Sequence, residues 1–177
     1  VVIPAILEIY QNLLGVRFHE VKDTKTWHPD VQMFAVWAAD AKDESDFVGY
    51  CYLDLSPRGM LSCVSFLNAH FSDLTASSES KYSHAAVWSL LPGYKCPDGN
   101  IGKRMYLLAA MVANLAKPTP DRPALMRHDD VVTFFHEMGH VFHGLLSRTQ
   151  FSHFHGTSVA RDFVEAPSQM LENWCVS

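Results

Sequence analysis

Residues 128–146 read HDDVVTFFHEMGHVFHGLL. Val131, Val132, Phe134, Phe135, Met138, Val141, Phe142, Leu145 and Leu146 recur at the spacing that gathers apolar side chains on one face of an α-helix. Asp129 and Asp130 stand where an N-cap and a first-turn carboxylate belong, at the positive end of the helix dipole. Inside this predicted helix lies His136-Glu137-Met138-Gly139-His140, an HExxH pattern. Residues four apart sit one turn above each other, so both imidazoles can reach one metal ion from the same side. Glu137 lies about 100° further round the helix, beside such an ion rather than on it. That is the place for a general base: zinc lowers the pKa of a bound water toward ~7, and Glu137 can take its proton as the hydroxide attacks a carbonyl. With ten histidines and seven glutamates in 177 residues, chance alone would produce the pattern in roughly 2% of such chains. Its place on the clearest helix, with Phe134, Phe135, Val141 and Phe142 to shield it from water, argues against chance.

A catalytic zinc takes three protein ligands and leaves one position open. Downstream donors are His143, His153, His155, Asp162, Glu165 and Glu172. His143 shares the helix of the first two, and three ligands from one straight helix surround an ion poorly, so it reads as a neighbour of the site or a surface residue. A third histidine six residues after the motif would give the metzincin pattern, but Leu146 stands there. Residues 147–157 read as a polar loop, and 159–174 as a second helix that starts near Val164 or kinks at Pro167. Glu165 lies in the apolar run Phe163-Val164-Glu165-Ala166, where a carboxylate is costly to bury unless paired or bound to a cation. Two antiparallel helices would set it opposite His136 and His140, and it is the preferred third ligand. Glu172 on the same face, or Asp162, is placed to hydrogen-bond a ligand imidazole and fix its tautomer. His19, His28, His70 and His84 have no partner at ligand-like spacing and read as structural or surface residues.

Upstream, Pro4 and the apolar Ile6, Leu7, Ile9, Tyr10, Leu13 and Leu14 predict a helix stopped at Gly15. Residues 16–21, 31–38 and 47–55 are rich in β-branched and aromatic side chains and are separated by polar clusters, which predicts a three-stranded meander. Residues 83–91 and 107–115 are further strand candidates, the second equally compatible with a helix, and 117–123 is a Pro-rich connector. The fold class is therefore α+β: a small meander, then the HExxH helix and an antiparallel glutamate-bearing helix. A net charge of −5 with scattered basic residues disfavours nucleic acid. No apolar run approaches the roughly 18 residues of a membrane span. Cys51, Cys63, Cys96 and Cys175 form no CxxC pair, which favours reduced thiols and an intracellular setting.

The run from Phe134 to His143, then Phe154-His155-Gly156-Thr157, then Arg161 to Trp174 (RDFVEAPSQMLENW) closely resembles the thimet oligopeptidase and neurolysin family of zinc peptidases, its saccharolysin-like fungal members above all. Residues 81–86, 110–114 and 117–119 fit the same family. The resemblance implies a mainly helical zinc metalloendopeptidase with a small sheet near the active site and a deep channel that admits short peptides and excludes folded proteins. It implies one Zn2+ on His136, His140 and Glu165, with Glu137 as catalytic carboxylate, in agreement with the spacing. By analogy, residues 110–114 form a strand along which substrate backbone lies. The location expected is the cytoplasm, with the mitochondrion as the alternative.

The resemblance also implies that residues 1–177 are a fragment of a metallopeptidase catalytic domain, without the Gly/Tyr-rich loop whose groups contact substrate and the developing oxyanion in the family. Loss of one oxyanion donor typically costs ~10²- to 10³-fold in rate. The competing reading is accordingly a truncated, inactive chain that binds zinc weakly or not at all. Residues 59–80 read as an insertion relative to the family. Gly59-Met60 and Val176-Ser177 are what the splice-donor-like GGTATG and GTAAGT encode, so the insertion and the end read as translated intron. Comparison of transcript with genomic sequence is expected to show both stretches removed from the mature message; a spliced message that keeps both would overturn this.

Overall fold

The computed structural model describes residues 2–57, 85–96, 104–116 and 125–175. The segment 59–80, the connector at 117–123, His84 and Val176-Ser177 lie outside the described residues, His70 among them. Helix α1 (Val2–Leu14) ends at Gly15, whose φ of 64° turns the chain directly into β1 (Val16–Glu20). β2 (Gln32–Ala38) and β3 (Phe47–Asp54) follow as an antiparallel meander, the register running Phe18↔Val36 and Val36↔Gly49. This is the predicted meander, with bounds shifted by a residue.

The sheet grows beyond it. β4 (Ala85–Leu91), a short ladder of β5 (Tyr94–Lys95) with β6 (Arg104–Met105), and β7 (Leu107–Ala113) come next in the chain. The five-stranded order is β1-β2-β3-β7-β4: β7 inserts between β3, to which it is parallel, and β4, to which it is antiparallel. The open choice at 107–115 is thus resolved as strand. Leu107, Ala109, Met111 and Ala113 are buried toward the core and Ala110 is buried on the other face, where Leu108 and Val112 are half-buried; the strand is paired on both edges. This position corrects the expectation that 110–114 carries substrate backbone. The N–H and C=O groups of a central strand are spent in its two ladders, which leaves none for a peptide.

Val16, Phe18, Phe34, Val36, Cys51, Leu53, Leu107, Ala109, Met111 and Val87 line one face of the sheet and form the core with the helices. Helix α2 (His128–Leu145) lies on that face through Phe134, Met138, Val141, Phe142 and Leu145. Its N-cap is Arg127 rather than Asp129: both aspartates fall in the first turn, and Asp130 accepts the Arg127 N–H at 2.8 Å. Helix α3 (Ala166–Glu172) continues as a 3-10 turn over Asn173–Cys175. It starts just after Glu165 and does not kink, because Pro167 sits in its first turn, where the missing N–H has no partner to lose.

α1 is locked to α2 by Tyr10. The ring is fully buried, tilted against Phe135 and Phe142 at 5.2 and 4.8 Å, and the hydroxyl donates to the Phe135 carbonyl at 3.1 Å. Burial lifts the Tyr10 pKa far above the usual phenol range, so this donor stays protonated. Tyr10→Phe is expected to lower the unfolding free energy by about 1 kcal/mol and Tyr10→Ala by about 3–5 kcal/mol, read from urea denaturation.

Candidate metal centre

Three contacts show how α2 and α3 run. His128 Nε2 lies 3.1 Å from the Cys175 carbonyl, His136 Nδ1 3.1 Å from Glu172 Oε2, and His140 Nε2 3.1 Å from Glu165 Oε2. Rising numbers on α2 meet falling numbers on α3, so the two helices are antiparallel, as the sequence predicts. They also approach closely. A Cβ placed on Gly139 would stand 2.5 Å from Ser168 Cα, a separation that real Cβ atoms do not show, so only glycine fits there.

That approach brings Glu165 onto the histidines. Its Oε2 lies 3.2 Å from His136 Nε2 and 3.1 Å from His140 Nε2, and the three donor atoms all fall within 4.8 Å of one another. Tetrahedral ligands at ~2.0–2.1 Å from one zinc are about 3.3 Å apart, so the glutamate–histidine separations suit a single ion. The two-nitrogen, one-oxygen donor set suits zinc as well. Glu172 accepts the His136 Nδ1 proton and leaves Nε2 with its lone pair for a metal. Asp162, the other candidate for that task, is exposed to solvent.

Ionisation follows the surroundings. Burial holds His140 below the usual histidine range, against the pull of the Glu165 carboxylate, and so favours the neutral imidazole. Burial works against the Glu165 carboxylate, but the Ser168 hydroxyl and the neighbouring His140 and His136 outweigh it and hold its pKa below the ordinary value. Glu137 is shifted the other way. Desolvation lifts its pKa, the Glu165 charge adds to this, and His136 only partly opposes it.

Glu165 reaches the histidines for a reason other than the burial expected from its sequence neighbours. The Glu165 side chain is 47% exposed, and the neighbouring Phe163 is 55% exposed. The apolar run around Glu165 is not a buried stretch, so its convergence with the histidines comes from helix pairing and not from the cost of a buried carboxylate. His153 is exposed, and His155 is buried against Gly93 and is not a member of the three-residue group. His143 faces Phe163 at 6.2 Å and also stands outside the group. His19 is exposed and His28 pairs with Asp30 at 3.8 Å. Sequence reasoning missed Gly139 and Ser168; a glycine interrupting a strongly helical pattern was the available signal for a close approach.

The model of peptidase family M3 matches residues 1–60 and 65–177. The chain is 46% identical over 175 residues to a thimet-like oligopeptidase of Dictyostelium discoideum, covering 99% of this chain and 22% of the relative. It is 40% identical over 176 residues to saccharolysin of Saccharomyces cerevisiae, covering 97% of this chain and 22% of the relative. Oligopeptidase A of Escherichia coli is 32% identical over 171 residues, covering 96% of this chain and 21% of the relative. The chain therefore spans about a fifth of the length of these curated relatives. Among the described residues no helix is long and apolar enough to cross a membrane.

Gly139→Ala is expected to push α3 away from α2 and destabilise the protein by about 1–3 kcal/mol. Thermal denaturation reads the loss, and a crystal structure of the variant is expected to show Glu165 Oε2 withdrawn from both imidazoles.

Proposed function

Since the chain belongs to peptidase family M3, we propose that it carries the zinc centre of a metalloendopeptidase that hydrolyses internal bonds of short peptides, with Glu137 as general base. The observation that carries this reading is the meeting of His136 Nε2, His140 Nε2 and Glu165 Oε2 at one point. Zinc, when bound there, supplies Lewis acidity and lowers the pKa of a water toward ~7.

The protein's own groups do the rest. Glu137 follows His136 on α2, and its burial-raised pKa suits a carboxylate that takes a proton from the attacking water and passes it to the leaving amine. Glu172 fixes the His136 ring and its tautomer through Nδ1. The nearest free strand edge belongs to β4, which is paired only with β7 among the described residues. Val87 and Ser89 of β4 line one cavity with His140. An extended peptide adding to that edge would lie beside the histidines, whereas β7 cannot accept one. The relatives named oligopeptidases favour short peptides as the substrate class.

A second reading, a chain that binds zinc weakly or not at all and lacks catalysis, draws on the chain spanning about a fifth of the length of its relatives. Metal analysis is expected to find one zinc per chain in the parent protein and less than one on Glu165→Ala, in which the two remaining imidazoles still hold zinc weakly. Cleavage of a quenched fluorogenic peptide is expected to be chelator-sensitive and to fall about 10²- to 10⁴-fold on Glu137→Gln with zinc retained. Weakly bound or absent zinc, or bound zinc without chelator-sensitive cleavage, would support the second reading, whereas chelator-sensitive cleavage that depends on Glu137 would refute it.

A further inference from the structure

Ser168 is fully buried, although Glu165 and Met170 on the same segment are largely open to solvent. Its hydroxyl lies 2.9 Å from the Glu165 carbonyl oxygen and 2.9 Å from Glu165 Oε2. This Oε2 is the same oxygen that stands 3.2 and 3.1 Å from the two imidazole Nε2 atoms. One serine hydroxyl has a single proton, which it shares or alternates between the two oxygens. The carbonyl contact fixes the hydroxyl relative to the start of α3, and the carboxylate contact ties the glutamate to that fixed point.

The tether has something to restrain. A half-exposed glutamate has three rotatable bonds and would otherwise sample many rotamers in water. Among the described residues no lysine or arginine pairs with Glu165; its partners are Ser168 and the two histidines. Ser168 is in turn held from the other side, since its Cα and N are the atoms packed against Gly139 of α2. The serine therefore gives one fixed reference to both the helix pair and the carboxylate.

We propose that Ser168 is a positioning residue whose hydroxyl holds Glu165 Oε2 between His136 and His140, so that the three-ligand site is formed before a metal arrives. This rests on the assignment of His136, His140 and Glu165 as ligands. Hydrogen-bonded partners of metal ligands are worth roughly 10- to 100-fold in affinity, which sets the scale of the effect.

The test is zinc affinity by chelator competition, for Ser168→Ala in the parent and in the Glu165→Ala background. The expected result is a 10- to 100-fold weaker affinity in the parent background and no further weakening once Glu165 is gone. Equal weakening in both backgrounds would mean that Ser168 only supports the helix contact, and would overturn the proposal. Ser168→Cys, which nearly keeps the volume and weakens the donor, is expected to fall between serine and alanine and covers the case in which the alanine variant fails to fold. A crystal structure of metal-free Ser168→Ala supplies a readout independent of metal: Glu165 Oε2 is expected to leave the two imidazoles, and a carboxylate unmoved would again overturn the proposal. If the parent protein bound no zinc, the ligand assignment would fail by itself, and the metal-free structure would still decide whether Ser168 places Glu165.

Discussion

The site depends on one contact, that of α2 with α3 at Gly139 and Ser168. A glycine inside a helix costs about 0.8–1 kcal/mol relative to alanine, and α3 at seven residues is far too short to be stable in isolation. Neither feature is explained by helix propensity. Both make sense if the helices must come near enough for glutamate side chains on one to reach imidazoles on the other. Leu171 buries beneath α3, His128 meets the carbonyl of Cys175, and these contacts hold the short helix in place along its length. Metal ligands must be placed within about 0.2 Å, a tolerance that apolar packing alone does not give; a backbone-to-backbone contact is stiffer.

Charge explains why such a place should attract a cation. Glu137, Glu165 and Glu172 gather around two imidazoles, and the Glu165 charge already pushes the Glu137 pKa upward. Like charges gathered in a partly desolvated place repel one another more strongly than they do in water. Among the described residues no lysine or arginine pairs with any of the three glutamates; Glu165 pairs with His136 and His140, and Glu172 with His136. Neutral histidine offsets no charge, and burial favours the neutral form of His140. A divalent cation would relieve the repulsion, and the neutral nitrogens are the form that binds it.

Much of this was legible in the sequence because it follows from local periodicity. The apolar spacing of 128–146 gives α2 almost to the residue, and the alternation of strand-forming and polar segments gives β1, β2 and β3. The HExxH spacing gives both histidines without reference to any other element. What escaped is non-local. The insertion of β7 between β3 and β4 is a pairing choice with no local signature, and Leu107–Ala113 was open to either helix or strand because an uninterrupted apolar run carries no alternation. Glu165 was chosen from an apolar setting that the fold leaves half open. The antiparallel pairing, invoked in the same reading, is what places it. Pro167 pointed correctly to a helix start but left a kink open, because the sequence does not say on which side of a proline the helix lies.

The position of Glu165 just outside α3 is itself informative. Donors on one helix all approach a point from the same side, so His143, one turn beyond His140, would add to an ion nothing that His136 and His140 would not already supply. A carboxylate within a helix antiparallel to α2 would approach from the opposite side but be aimed by the regular rise of 1.5 Å per residue. Glu165 precedes the first turn at φ −85° and ψ −8°, and its side chain is aimed by the turn and by Ser168 rather than by helical register. Glu172, seven residues on, falls two helical turns away and reaches the other nitrogen of His136. One short segment thus contacts both nitrogens of the same imidazole, and the distance between its two glutamates is set by the helix between them. Register supplies the outer contact, and the turn with Ser168 supplies the inner one.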